Sequence, residues 1–132
     1  MASTKPEDEK FDLFLDFIYS DEWLNPINTF IEEYCLIFAT NEPEEFKDEK
    51  NKVFESYRKM VASTLDNFLT QILGIQRKDL GALCKENMDE LEYDDMVHFL
   101  ALEDYNLFHT IMFEANKSMQ RKAARRLAKQ MK

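Results

Sequence analysis

Residues that form tight turns are scarce in this chain, and this scarcity limits the folds it can adopt. Only two glycines and three prolines occur among 132 residues, and no Asn-Gly or Asp-Gly pair is present. An all-β domain needs such residues at many turns. Apolar residues instead recur at helical spacing, as in Phe11, Phe14, Leu15 and Ile18. The sequence therefore predicts an all-α fold.

The periodic pattern predicts six helices in a single domain over residues 10–132. The polar segment 1–9 carries no apolar stripe, and we expect it to be disordered. Asn25 and Pro26 are suited to begin the second helix, and Gly74 is suited to end the third in a left-handed conformation. The predicted helices cover residues 10–20, 25–39, 49–73, 76–86, 90–102 and 104 onward.

Charge is distributed unevenly along the chain. The net charge is −9, from 26 acidic and 17 basic residues. The last acidic residue is Glu114, so residues 1–116 hold ten bases against 26 acids, a net of −16. This acidic body lacks the basic footprint of a general nucleic-acid binder.

Seven bases follow Glu114, in the helix end at residues 117–132. This basic end has three readings: a solvated helix terminus, a membrane-surface or calmodulin-type amphipathic helix, or the first part of a longer helix. Its apolar face is thin, which favours the first and third readings and argues against stable membrane insertion.

Catalytic and metal-binding patterns are missing from the sequence. Asp95 and His98 match one carboxylate-x-x-His unit of a di-iron bundle, but such a site needs a second unit, and His109 supplies none. Cys35 and Cys84 lie in apolar stripes and are expected to be buried hydrophobes in a reducing, cytoplasmic compartment. We therefore predict no enzyme activity, no metal and no cofactor.

Membrane-spanning and leader segments are also not expected. The longest apolar run, Tyr34–Ala39, is far shorter than the roughly 20 residues that cross a bilayer. The first ten residues are polar and lack the apolar core of a signal peptide.

Several segments, in one order along the chain, resemble the BART-like domain, whose members bind Arf-like small GTPases. The resemblance covers residues 11–130 and is most specific at Leu100–Phe108. Within the family it is greatest to the N-terminal domains of coiled-coil proteins of cilia and flagella. The matching segments are Asp21–Ile27, Phe30–Cys35, Ile72–Ile75, Leu80–Cys84 and Leu100–Phe108.

The resemblance implies a six-helix domain that recognises the GTP-loaded form of an Arf-like GTPase in the cilium or flagellum. An apolar groove would receive the N-terminal amphipathic helix of the GTPase, a helix-in-groove mode of recognition. We expect a monomer whose groove is lined by the third to sixth predicted helices. The predicted groove residues are Leu69, Ile72, Leu80, Leu83, Met96, Phe99, Tyr105 and Phe108.

Three other classes of function stay open at the level of sequence. One is contact with a lipid surface or with a calmodulin-type partner through the basic helix end. Another is a structural helical scaffold. The third is an enzyme, which would need a titratable cluster that the motifs do not reveal. The same apolar residues also fit an ordinary core, because periodicity does not separate core from groove.

Overall fold

The computed structural model describes residues 6–87, 89 and 91–131. This part of the chain forms six α-helices and no strand, which confirms the all-α prediction. The helices are α1 (Pro6–Ile18), α2 (Asp21–Tyr34), α3 (Lys47–Phe68), α4 (Arg77–Glu86), α5 (Tyr93–Leu100) and α6 (Tyr105–Gln130).

The first helix begins earlier than predicted. It starts at Pro6, so residues 6–9, which we expected to be disordered, are helical. Proline is favoured at the first helical position because its ring fixes φ and no N–H is needed there. Residues 1–5 of the segment expected to be disordered lie outside the described residues, as does Lys132 at the other end.

The start of α2 also differs from the prediction. The helix begins at Asp21, after the extended Ser20, and not at Asn25. Asp21 and Glu22 in the first turn interact favourably with the partial positive charge of the helix N-terminus. Pro26 therefore lies inside the helix instead of in its first turn.

The end of α3 follows the prediction closely. A π-helical turn, Leu69–Leu73, continues the helix, and Gly74 then ends it with φ 66°, in the left-handed region. The N–H groups of Gly74 and Ile75 both donate to the carbonyl of Leu69. A side chain at position 74 would be strained at this φ, whereas glycine adopts it freely.

Short helices α4 and α5 begin with carboxylate caps. Asp79 Oδ2 accepts from the N–H of Gln76 at 3.1 Å, and Asp95 Oδ2 accepts from the N–H of Glu92 at 3.2 Å. A cap of this kind satisfies a donor that the helix itself leaves free. The predicted start of the fifth helix, residue 90, lies outside the described residues.

The core is built mainly from aromatic side chains of α1, α2, α3 and α6. The rings of Phe17 and Phe68 stack at 4.0 Å, and Phe38 meets Phe108 edge-on at 5.7 Å. Cys35 and Cys84 are buried and free, as predicted. The largest fully buried side chains include Trp23, Tyr57, Phe11, Phe14, Phe38, Phe108, Ile27, Leu65, Leu69 and Met112.

The last helix packs against the domain mainly along its first half. Asp104 caps it by accepting from the N–H of Leu107 at 3.1 Å. Phe108, Met112 and Asn116 are buried, but every residue from Met119 to Met131 is exposed. Packing therefore weakens toward the C-terminal end, because the stripe changes from aromatic side chains to alanine. None of the helices in the described part of the chain is long and apolar enough to cross a bilayer.

Candidate functional site

An open apolar cleft lies between α4, α5 and the C-terminal part of α3. Its volume is about 320 Å³, within the range of small ligand sites. The floor and walls are apolar, and charged side chains stand only at the rim. The lining residues are Leu65, Leu80, Gly81, Cys84, Met96, Phe99, Leu100 and Leu102, with Arg77, Lys85 and Glu103 at the edge.

The amphipathic pattern of α4 builds one wall of this cleft. Leu80 and Cys84 are four residues apart, so they lie on the same face of the helix, and both are buried. Gly81 also lines the cleft, and a Cβ built at this residue would meet no atom within 4 Å. The cleft is thus widened where α4 lacks a side chain.

The opposite wall comes from α5 and the turn that follows it. Met96 and Phe99 are half-buried, and Leu100 is exposed. The ring of Phe99 packs edge-on against Phe14 at 5.8 Å, so the core holds it in place while part of it faces the cleft. Met96 is unbranched and flexible, which suits a wall that adapts to an inserted side chain.

Three of the eight predicted groove residues line this cleft: Leu80, Met96 and Phe99. Leu69, Leu83 and Phe108 belong to the core. Phe108 packs among aromatic rings of α3 and the segment after α2, so no surface of it is left for a partner.

The other two predicted residues lie elsewhere. Ile72 is 58% exposed on the π-helical turn and does not line the cleft. Tyr105 is half-buried, and its hydroxyl donates to the carbonyl of Pro43 at 3.0 Å, which holds the loop before α3 against α6. The structure thus separates the predicted set into cleft, core and surface.

Sequence reasoning missed several residues of the cleft. Leu65 and Leu100 were not among the predicted groove residues, since an apolar stripe does not reveal which helix covers it. Gly81 could have been identified as a cleft residue from the sequence. A glycine inside a helix costs stability and often marks a close approach or an open space. No pattern in the sequence pointed to the rim charges.

The rim of the cleft carries both signs of charge. Arg77 Nε lies 2.9 Å from Asp66 Oδ1, and Arg58 reaches Glu103 at 3.5 Å. These pairs are half-exposed, so they add little to stability and leave the groups accessible to other charges.

The suspected carboxylate-histidine unit makes structural contacts through the Asp95 side chain and the His98 backbone. Asp95 caps α5, as described above, and the carbonyl of His98 accepts from the Tyr57 hydroxyl at 2.6 Å. Burial lowers the pKa of His98. Among the described residues, no three His, Cys, Asp or Glu side chains converge as a metal site would require. The expectation of no metal and no cofactor stays a prediction.

Comparison with known families gives one match over most of the chain. A family model described as "The ARF-like 2 binding protein BART" matches residues 7–121. The matched region runs from α1 into the exposed part of α6 and contains every residue that lines the cleft.

Proposed function

The chain belongs to the BART family of ARF-like 2 binding proteins, and we propose that it is a non-catalytic effector of an Arf-like small GTPase. The α4–α5 cleft would receive the apolar face of an amphipathic helix of the GTPase. The observation that supports this proposal most directly is the open apolar cleft itself, with its charged rim.

The size and lining of the cleft suit a few aliphatic side chains of a partner helix. Side chains at positions i, i+3 and i+4 of that helix would enter between Leu80 on one side and Met96 and Phe99 on the other. Each buried aliphatic side chain contributes about 1.5–3 kcal/mol before the cost of association. Two or three such side chains are therefore enough for a specific but reversible complex.

The rim would supply orientation and nucleotide dependence. Arg77, Lys85 and Glu103 surround the cleft and face solvent, where they can pair with charges on the switch regions of a GTPase. Charged groups at the edge of an interface contribute mainly to specificity and association rate. A change of switch conformation between the GTP and GDP forms would then alter these flanking contacts.

A role in ciliary or flagellar trafficking is a further part of this proposal. It is supported by the resemblance of residues 11–130 to domains of ciliary coiled-coil proteins. Imaging of the tagged full-length protein in ciliated cells tests it, with enrichment at the cilium or basal body as the expected result. A uniform distribution would contradict this part and leave the GTPase proposal standing.

A nucleotide-resolved binding assay tests the central proposal. The purified chain should retain an Arf-like GTPase loaded with a non-hydrolysable GTP analogue, and much less of the same GTPase loaded with GDP. Isothermal titration calorimetry then gives both affinities. Equal affinities would rule out an effector, and absence of binding to a panel of Arf-like GTPases would rule out the family function for this chain.

A further inference from the structure

Among the described residues, the C-terminal part of α6 contacts the domain only at its start, where Met119 Sδ lies 3.2 Å from Cys35 Sγ. We call residues Met119–Met131 the α6 extension, and each of them is exposed. The family match ends at residue 121, so most of the extension lies beyond the matched region. The extension contains no acidic residue and five bases: Arg121, Lys122, Arg125, Arg126 and Lys129.

The extension is amphipathic, with apolar and basic residues on separate faces. Residues four apart lie on one face of a helix, and Met119, Ala123, Leu127 and Met131 form such a stripe. At 100° per residue, the five bases all fall outside the arc of this stripe. The basic arc covers about 140°, roughly two fifths of the circumference.

The basic side chains of the extension are not neutralised by the domain. The ion pair nearest to them, Lys117 with Glu114 at 3.8 Å, lies before the extension, and no ion pair found among residues 6–87, 89 and 91–131 involves one of the five bases. The acidic body does not reach them because α6 continues as a single helix away from the core.

We propose that the α6 extension docks the protein on the surface of a bilayer that contains anionic lipids. A helix with a basic polar face and a narrow apolar stripe lies in the interface plane instead of crossing the bilayer. Clusters of four to eight bases on an amphipathic helix are typical of binding to acidic phospholipids. The stripe is long enough for shallow contact with the headgroup region.

Charge complementarity favours a lipid surface over a second copy of the chain. Pairing two extensions through their apolar stripes would leave their ten bases on the outer faces, where no opposite charge meets them. A bilayer presents mobile anionic headgroups that can gather around bases spread over this arc. A folded acidic protein would instead need charges placed at matching positions.

The acidic body does not prevent this docking. The extension of 13 residues is about 20 Å long at 1.5 Å per residue. The Debye length at physiological ionic strength is about 8 Å. Salt therefore largely screens the repulsion between the acidic body and a bilayer that the far end of the extension contacts. Binding should consequently be sensitive to salt.

Vesicle sedimentation of the full chain tests the proposal. The probes are vesicles of phosphatidylcholine alone and vesicles with about one third phosphatidylserine. Each base near an anionic surface strengthens binding by about fivefold, so Arg121→Glu/Arg125→Glu/Lys129→Glu should weaken binding to the anionic vesicles by at least about tenfold. Raising the salt to about 0.5 M should have the same effect.

A matched control separates the effect of the extension from the effect of a change in net charge. The variant Lys52→Glu/Lys59→Glu/Lys78→Glu carries the same change of charge at exposed residues of α3 and α4. It should bind anionic vesicles like the unchanged chain. Both variants should keep the helical circular dichroism, because the substituted side chains are exposed.

Three results would overturn the proposal: equal binding to neutral and anionic vesicles, equal losses in the two triple variants, or no vesicle binding at all. Analytical ultracentrifugation tests the alternative that the extension binds a second copy of the chain. Concentration-dependent self-association that is lost only in the extension variant, without vesicle binding, would assign the extension to a second copy. The nucleotide-resolved GTPase assay is independent of all these outcomes, since the cleft lies outside the extension.

Discussion

The amine of Lys50 lies 3.0 Å from Nε2 of His109, although the two residues are 59 positions apart. Both side chains are fully buried. Lys50 Nζ also donates to the carbonyl of Glu42 at 3.0 Å, and it lies 5.4 Å from the centre of the Phe38 ring. This contact joins α3, α6 and the loop that precedes α3. With the lysine charged, the contact needs a neutral His109 whose Nε2 accepts.

Acidification should destabilise the domain. Burial, and to a lesser extent the charge of Lys50, lower the pKa of His109 below its ordinary value of 6.5. Below about pH 6.5, His109 therefore binds a proton more readily in the unfolded chain than in the folded chain. The free energy of unfolding consequently falls as pH falls. Thermal unfolding at about pH 7.5 and 5.5 measures the effect, above the range where carboxylates titrate.

The histidine variants identify the source of this pH dependence. His109→Gln should flatten the curve of melting temperature against pH, and His98→Gln should flatten it further, since burial lowers the pKa of His98 as well. A melting temperature that rises on acidification in the unchanged chain would contradict the prediction.

Replacing the buried lysine should raise the pKa of His109. Lys50→Met keeps most of the side-chain volume and removes the positive charge that disfavours a protonated imidazole. Burial of the ring remains, so the pKa should rise without exceeding the ordinary range. NMR titration of the histidine Cε1–H signals measures it. Lys52→Met, at an exposed residue of the same helix, should leave the signal unchanged.

Filling the cleft should block GTPase binding without loss of the fold. Gly81→Leu places a side chain where a Cβ meets no atom within 4 Å, and it removes a helix-interior glycine that costs about 1 kcal/mol. Affinity for the GTP-loaded GTPase should fall by at least about tenfold. A loss of this size is expected when one aliphatic side chain of the partner helix is no longer buried in the cleft. Thermal stability should stay equal or rise.

Ala82→Leu is the matched control for Gly81→Leu. Ala82 is the next residue on α4 and is exposed, but it does not line the cleft. This variant should bind the GTPase like the unchanged chain. Equal binding by both variants would place the interface elsewhere on the domain.

Core and cleft residues should respond differently to truncation. Phe108→Ala removes a fully buried ring that contacts Phe38, Phe54 and Tyr57, and should cost about 3–5 kcal/mol of stability. Met96→Ala removes a half-buried wall residue, and should weaken GTPase binding more than it lowers the melting temperature.

Urea unfolding gives the stability of each variant, and calorimetry gives its affinity. A Phe108→Ala protein that keeps its midpoint of unfolding but loses binding would show that the ring belongs to the interface. A Met96→Ala protein that unfolds readily would assign Met96 to the core.

The existence of the helices could be predicted because their apolar spacing is local. The ends were less certain, since several capping signals compete. Asn25 and Pro26 suggested one start for α2, but the acids at positions 21 and 22 and the burial of Trp23 place it four residues earlier. Gly74 was predictable as an end, because only glycine readily adopts the left-handed conformation.

The cleft was harder to predict than the helices. Leu80 and Leu83 lie on the same short helix and are almost equally buried, yet Leu80 lines the cleft and Leu83 belongs to the core. The difference depends on how α3 and α5 pack against α4, and residues distant in the sequence determine that packing.

By itself, the sequence determined the helical class, the acidic body and the amphipathic basic end, because each depends on residue type and spacing along one helix. Only the tertiary structure decided which apolar side chains face an open cleft, and that Lys50 is buried against His109. Periodicity defines a face of a helix, but the neighbouring helices determine whether that face is covered, and their approach depends on packing between residues distant in the chain.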